Sequence, residues 1–248
     1  MTGVIYDTAW LAMVVKSENE EDTMQSRWLF PSLYYRILEC QNPSGAFGQQ
    51  EDGVDGILNT MAALLALRKL ERNPSIVGGP AVLDISERID QGRAFLESAL
   101  VSWDVSSTVH VGFEILVPNL INLLHDEGVD FRNFPGYPML VSLNQQKLAK
   151  FQPELLYMQG KTTLIHSLEA FIGHIDFDRV SHHLVNGAMM NSPSSTAAYL
   201  MNCSTWDAGA ESYLRFVASE RGMIPSAFPT SIFETSWVRK NDPLVTLG

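Results

Sequence analysis

Apolar residues recur at helical spacing along nearly the whole chain. Ile57-Leu58, Met61-Ala62, Leu64-Leu65 and Leu67 to Leu70 fall three and four residues apart, which gathers side chains on one face of a helix. Gly53 and Gly56 precede this run and Asn73-Pro74 follows it, so the spacing predicts a helix of about 14 residues between them. Ile115-Leu116, Leu120-Ile121 and Leu123-Leu124 repeat the pattern between Gly112 and Gly128, and Leu164-Ile165, Leu168 and Phe171-Ile172 repeat it before Gly173. Thr196 to Asn202 reads as a further helix, entered through Ser192-Pro193-Ser194-Ser195. A proline in the first turn gives up no backbone bond, and a serine oxygen can cap the free N–H groups.

Short punctuators separate these runs: Asn42-Pro43-Ser44-Gly45, Gly78-Gly79-Pro80, Phe134-Pro135-Gly136-Tyr137-Pro138 and Ile224-Pro225-Ser226. No alternation long enough for a strand stands out. The expectation is an all-α architecture of about ten to twelve helices in a layered or toroidal packing.

Composition narrows the class. A chain of 248 residues with 46% hydrophobic and 18% charged residues is globular and large enough for a buried core. The net charge of −11 argues against nucleic-acid or anionic-membrane partners, which need basic patches. Glu18-Asn19-Glu20-Glu21-Asp22 reads as a solvated loop. Cys40 and Cys203 lack metal-ligand spacing and read as buried free thiols in a reducing compartment. No secretory or plastid-type leader and no apolar run of roughly 18 residues is recognisable. A soluble, cytoplasmic protein is expected.

Candidate chemistry is sparse. His182-His183 has no cysteine or carboxylate at zinc-ligand spacing. Asp176-Phe177-Asp178, ahead of Arg179, reads as a helix cap and an ion pair before it reads as a magnesium site. Gly45-Ala46-Phe47-Gly48 lacks the basic follower of a phosphate loop and reads as a turn. Trp10, Trp28, Trp103, Trp206 and Trp237 are scattered and read as core. The residues by themselves describe a soluble, acidic, all-helical domain.

A collinear set of segments adds to this. Tyr6-Asp7-Thr8-Ala9-Trp10, Trp28-Leu29-Phe30-Pro31, Gln41 to Gly48, Gly112 to Pro118, Leu164-Ile165-His166-Ser167-Leu168-Glu169-Ala170-Phe171, Asp176 to Leu200 and Phe228 to Trp237 together resemble the front portion of a class II diterpene cyclase. The similarity is greatest to the fungal bifunctional copalyl diphosphate/ent-kaurene synthases. The resemblance implies an all-α, helical-toroid or (α/α)-barrel-like γ domain over residues 26–228. Residues 1–25 would be the first helix of a β domain and 229–248 a stub returning to it. It also implies protonation-initiated cyclisation of geranylgeranyl diphosphate to a copalyl-type diphosphate, assisted by Mg2+, in a cavity between the two domains.

Site residues follow from the resemblance alone. His166 matches a histidine that helps hold the water acting as terminal base, with a core histidine bonded to a backbone carbonyl as the alternative. Ser226 stands where relatives place the water's second partner, an asparagine, and reaches less far. Lys147 matches a lysine of the diphosphate region, with a solvated surface lysine as the alternative. The acidic cluster expected before Gly112 is replaced by Ser106-Ser107-Thr108-Val109-His110, leaving Asp104. Serines supply no carboxylate charge for a hard cation, so no metal ligands are assigned here and Mg2+ binding by this segment is expected to be weak. Neither DxDD nor DDxxD occurs in the sequence. The expectation is a truncated cyclase, inactive alone for want of the proton donor, with a non-catalytic helical module that binds the β domain or another partner as the alternative.

Overall fold

The computed structural model describes residues 4–20, 23–49, 51–76, 84–160, 162–219 and 222–228. The Gly78-Gly79-Pro80 punctuator, Glu21-Asp22 and the whole 229–248 segment, Trp237 included, lie outside the described residues. The helices α1 (Ile5–Ala12), α2 (Ser32–Glu39), α3 (Gly53–Arg72), α4 (Ile85–Ser102), α5 (Phe113–Asp126), α6 (Tyr137–Leu148), α7 (Glu154–Tyr157), α8 (Pro193–Asn202) and α9 (Ala208–Ser219) follow in chain order. Three 3-10 segments, Val105–Ser107, Thr163–Phe171 and Phe177–His183, complete the helical set. The all-α expectation holds for the bulk of the described chain. Among the described residues no helix is long and apolar enough to cross a membrane.

The centre is α3. Thr60 to Leu67 is buried without a break, so more than two turns are covered on every side, as in a helix at the middle of a core. Ala62, Ala63 and Ala66 keep its surface shallow, and α1, α4 and α5 pack against it. Its one buried hydroxyl, Thr60, accepts the Phe47 N–H at 3.1 Å, so no polar group is stranded there. On α4 the buried residues Ile89, Gly92, Leu96 and Leu100 form a stripe. Gly92 leaves room for the Phe47 ring, 3.1 Å from where a Cβ would stand. Each buried Leu, Ile or Met of this layer stabilises by roughly 1.5–3 kcal/mol relative to exposure.

Three expectations are corrected. The predicted helix at 57–70 starts earlier, at Gly53, and includes Gly56, because a Cβ at Gly56 would lie 2.1 Å from the Glu51 carbonyl oxygen. The glycine is required by a close approach, not by a helix end. Strands exist: β1 (Val15–Glu20) pairs antiparallel with β2 (Thr23–Trp28), Val15 opposite Trp28 and Glu20 opposite Thr23. A short ribbon, β3 (Leu184–Val185) with β4 (Ala188–Met189), enters α8. Glu18 to Glu20 are therefore strand and not loop. The sequences Val-Lys-Ser-Glu-Asn-Glu and Thr-Met-Gln-Ser-Arg-Trp carry no alternating apolar face, so pattern cannot detect them. The backbone ladder and the Ser17–Ser26 hydroxyl pair at 2.9 Å form the ribbon.

The third correction falls on the segment that carries His166 and Glu169. The Leu164–Ile172 run is not a regular helix but the 3-10 segment Thr163–Phe171, kinked at Ser167 (φ −138°, ψ 46°). At the kink the Leu168 N–H leaves the helical ladder and donates to Ser195 Oγ at 2.9 Å. A tertiary bond has replaced a local one.

Gly45 tests the tight packing of the 42–48 turn. Its φ is +92°, and a Cβ would sit 2.2 Å from the Gln91 carbonyl oxygen. Gly45→Ala is expected to cost at least about 2 kcal/mol in urea unfolding. Gly160→Ala, with nothing within 4 Å of the added Cβ, is expected to change stability by less than about 0.5 kcal/mol.

Candidate functional site

The kinked segment, α1 and the N-terminus of α8 meet at a cluster of buried acids. Asp7, in the first turn of α1, is 3% exposed, and Glu169 is 2% exposed. Both converge on Ser194, whose N–H donates to Asp7 Oδ1 at 3.2 Å and whose hydroxyl donates to Glu169 Oε1 at 3.3 Å. Ser195 Oγ donates to Glu169 Oε2 at 2.9 Å and the Tyr6 hydroxyl to Glu169 Oε1 at 3.2 Å. The Glu169 backbone carbonyl accepts from Asn119 of α5 at 2.7 Å. The predicted capping of α8 by the Ser192–Ser195 segment is observed: Ser192 Oγ accepts the Ser195 N–H. The helix N-terminus thus offers one N–H to its own cap and the next to Asp7.

Each donor in this cluster is neutral. Among the described residues no cation offsets the loss of hydration, and burial first and then the Glu169 carboxylate push Asp7 up to about 7. Burial likewise pushes Glu169 up to about 7 against the lowering effect of its hydrogen bonds. The same two carboxylates, after burial, raise the Tyr6 phenol well above its ordinary value.

The cluster opens onto a cavity of about 470 Å³ whose wall includes Asp7, Glu169, His166, Asn59, Asp55 and Ser226. Each is placed by its own element. Asn59 of α3 accepts the Tyr6 N–H at 3.0 Å and so ties α3 to α1. His166 is half-buried on the kinked segment, and burial pulls its imidazole below the ordinary histidine value, which keeps it neutral and a proton acceptor near neutral pH. Ser226 is exposed to the cavity. Its stretch of chain is held by Val4 N–H to Ile224 O at 2.8 Å, Ile224 N–H to Thr8 Oγ1 at 3.0 Å and Phe228 N–H to Asn191 O at 2.8 Å.

The structure therefore brings His166 and Ser226 to one cavity wall, although they are far apart in sequence. Lys147 is elsewhere: on α6, exposed, 3.3 Å from Glu114 Oε1, and not in the wall of this cavity. Asp7 and Glu169 stand within the matched segments, yet sequence reasoning gives them no role. The signal available was an acid set in an otherwise apolar run, which needs partners if buried.

The Asp104 carboxylate accepts from the Ser106 N–H and hydroxyl, which hold it below the usual range. Among the described residues no group of three or more His, Cys, Asp or Glu is arranged to hold a metal ion, so the residues present do not fit a magnesium cradle. The weaker signals resolve as structure. His183 bonds the Leu156 carbonyl at 2.7 Å and His182 the Met158 carbonyl at 3.1 Å. Asp176 caps its 3-10 segment. Arg179 stacks on Tyr157, 3.7 Å from the ring centroid, instead of pairing with the aspartates. The 45–48 run is a turn with positive φ at both glycines. Cys40 and Cys203 are free thiols, only half-buried.

No protein-family profile matches the chain. It is 46% identical over 252 residues to the copalyl diphosphate synthase of Talaromyces verruculosus, covering 100% of this chain and 25% of that protein. The chain is a homologue of the fungal diterpene cyclases. It is also 47% identical over 244 residues to the pimaradiene synthase of Emericella nidulans, covering 96% of this chain and 24% of that protein. The chain thus spans about a quarter of the length of these relatives. The ent-copalyl diphosphate synthase of Arabidopsis thaliana, solved in complex with (S)-15-aza-14,15-dihydrogeranylgeranyl thiolodiphosphate, superposes with a TM-score of 0.74 at 26% identity, over 96% of this chain and 32% of that one. The helical fold is that of the diterpene cyclases.

The acid cluster gives a pH dependence with a definite sign. Unfolded, Asp7 and Glu169 take their ordinary values of 3.8 and 4.5, and folded they are pushed up to about 7. Between those values the folded chain holds more protons than the unfolded one. The stability is fully present below about pH 4 and is lost as pH rises through about 7. The unfolding free energy from urea titration is expected to fall between pH 5 and pH 8 by an amount on the order of 1–3 kcal/mol, and Asp7→Asn or Glu169→Gln to flatten that fall. An unfolding free energy that rises over this interval would contradict the assignment.

Proposed function

We propose that the chain is part of a class II diterpene cyclase. In this reading it contributes a wall of the cavity in which geranylgeranyl diphosphate is protonated and closed to a copalyl-type diphosphate. Residues 26–228 act as its γ domain, with 1–25 and 229–248 belonging to an adjoining β domain that supplies the catalytic acid. The observation that carries the reading is the convergence of His166 and Ser226 on one cavity, in a chain 46% identical throughout to a copalyl diphosphate synthase.

The chemistry asked of this wall is the last step. When the cyclised cation loses a proton, the C–H electron pair becomes a C=C bond and the proton must go to a base. That base is the water held at this wall, and a neutral imidazole lowered by burial suits the task of holding it. Ser226 is the second hydrogen-bonding group of the pair, and a hydroxyl shorter than an asparagine amide places the intervening water differently and so sets the product's stereochemistry. Lys147 serves the diphosphate end, away from this wall. Its exposed ammonium, held loosely by Glu114, can reach a bound anion as a point charge. Magnesium enters with the diphosphate and is not held by the described residues of this chain.

The test is a chimera in which this chain replaces the matching quarter of the Talaromyces verruculosus enzyme, incubated with geranylgeranyl diphosphate and magnesium. Copalyl-type products are expected. His166→Ala in that chimera is expected to lower the rate of the deprotonated product by about 10²-fold or more, with hydroxylated products from capture of water by the cation. A folded chimera that makes no cyclised product would sink the proposal. Unchanged products and rates in His166→Ala would remove His166 from the role of holding that water.

A further inference from the structure

The water-holding role of His166 and Ser226 leaves two groups of the cavity wall without a part, and they are the two most buried acids in it. Asp7 and Glu169 share Ser194 as a donor, through its N–H at 3.2 Å and its hydroxyl at 3.3 Å. The elements packed around them supply these titratable groups: Tyr6 from α1, His166 from the kinked segment, Asp55 from α3, and Tyr213 from α9, whose phenol is raised by burial and then by the charge of Asp7. His110, ahead of α5, lines the same cavity with its ring 3.2 Å from Asp55. Among the described residues no lysine or arginine belongs to the cavity wall. The α8 N-terminus contributes only neutral donors, and α5 gives an asparagine.

Two carboxylates at this burial would each lose hydration and repel one another, with no cation to compensate. Two neutral carboxyls would leave the donors of the α8 N-terminus without an anion to face. One proton for two carboxyls satisfies both constraints. We propose that Asp7 and Glu169 act as one acid, holding a single proton between them at neutral pH, and that the one remaining negative charge sets how readily His166 takes up a proton. They are a positioning pair, acting through the imidazole. The second half of the proposal rests on the reading of His166 as a holder of the water that acts as terminal base.

One shared charge and two independent ones behave differently under substitution. If the pair is a monoanion, removing either carboxyl leaves the other ionised and the wall keeps its charge. Only the double variant empties it. In the full chain, Asp7→Asn and Glu169→Gln are each expected to leave the His166 titration, followed by NMR of the imidazole C–H, within about twofold in proton affinity. The double variant is expected to weaken that affinity roughly three- to tenfold. In infrared spectra the wild-type chain at pH 7 should show one buried protonated carboxyl band that titrates away at alkaline pH, and each single variant should weaken it and lose it at a lower pH than the wild type. No such band in the wild type, or one unchanged in both single variants, overturns the shared proton. A His166 titration that moves equally in each single variant overturns the monoanion, and one that does not move in a folded double variant overturns the link to His166. Should the double variant not fold, the wild-type and single-variant spectra still decide the first half. In that event loss of the imidazole shift on ionising the pair in the wild type decides the second. None of these measurements needs substrate or the rest of a cyclase, so a dead chimera with an intact titration would reject the cyclase reading alone.

Discussion

The structure turns on two carboxyl groups that are almost wholly buried. Asp7 and Glu169 come from distant parts of the described chain, and among the described residues neither has a cation. Each must therefore be met by neutral donors at hydrogen-bond distance, because an unmet buried carboxyl costs several kcal/mol. That requirement fixes the positions of three elements at once. The first helix must bring Asp7 to the start of α8, the serine pair must occupy the first turn of α8, and the 163–171 segment must bend to present Glu169. The kink at Ser167 is the backbone's part of this arrangement, since the Leu168 N–H it frees is taken by Ser195, the same side chain that serves Glu169.

Around this polar junction the packing is ordinary. An all-round apolar helix occupies the middle, shallow at its alanines, and α1, α4 and α5 lie on it. The polar and apolar parts are not independent. Asn59 projects from the central helix to the Tyr6 N–H, so the core sets the height of the first helix and hence of Asp7. A cavity wall assembled in this way is rigid where its acids are and open where Ser226 lies.

Much of the helical order was legible because each long helix carries its own apolar period. The α5 limits fall where Gly112 and Gly128 suggest, and the Ser-Pro-Ser-Ser entry to α8 is capped as its residue types require. What was hidden depends on tertiary contact. The polar hairpin Val15–Trp28 has no apolar alternation to reveal it. The helix at 164–172 is bent by a bond from α8 that no local pattern contains. At the site, His166 and Ser226 were nameable through a resemblance. Asp7 and Glu169 were only letters in a motif, because what gives them chemistry is mutual proximity across the fold. Lys147, matched through the same resemblance to the diphosphate region, lies outside this cavity wall, beside Glu114.

The seam between Val4 and Ile224 has a kinetic side. Thr8 and Ile224 are 216 residues apart in sequence, so their contact closes a loop nearly as long as the chain. Closing such a loop costs several kcal/mol of chain entropy, growing slowly with length, and only a few backbone bonds return it at the seam. Contacts of that span form late in folding, after local helices and the central packing exist. Ser226 rides on this seam, and Asp7 belongs to it too, since its bond to Ser194 spans 187 residues. The cavity wall is thus completed only when the first helix has met the 224–228 stretch.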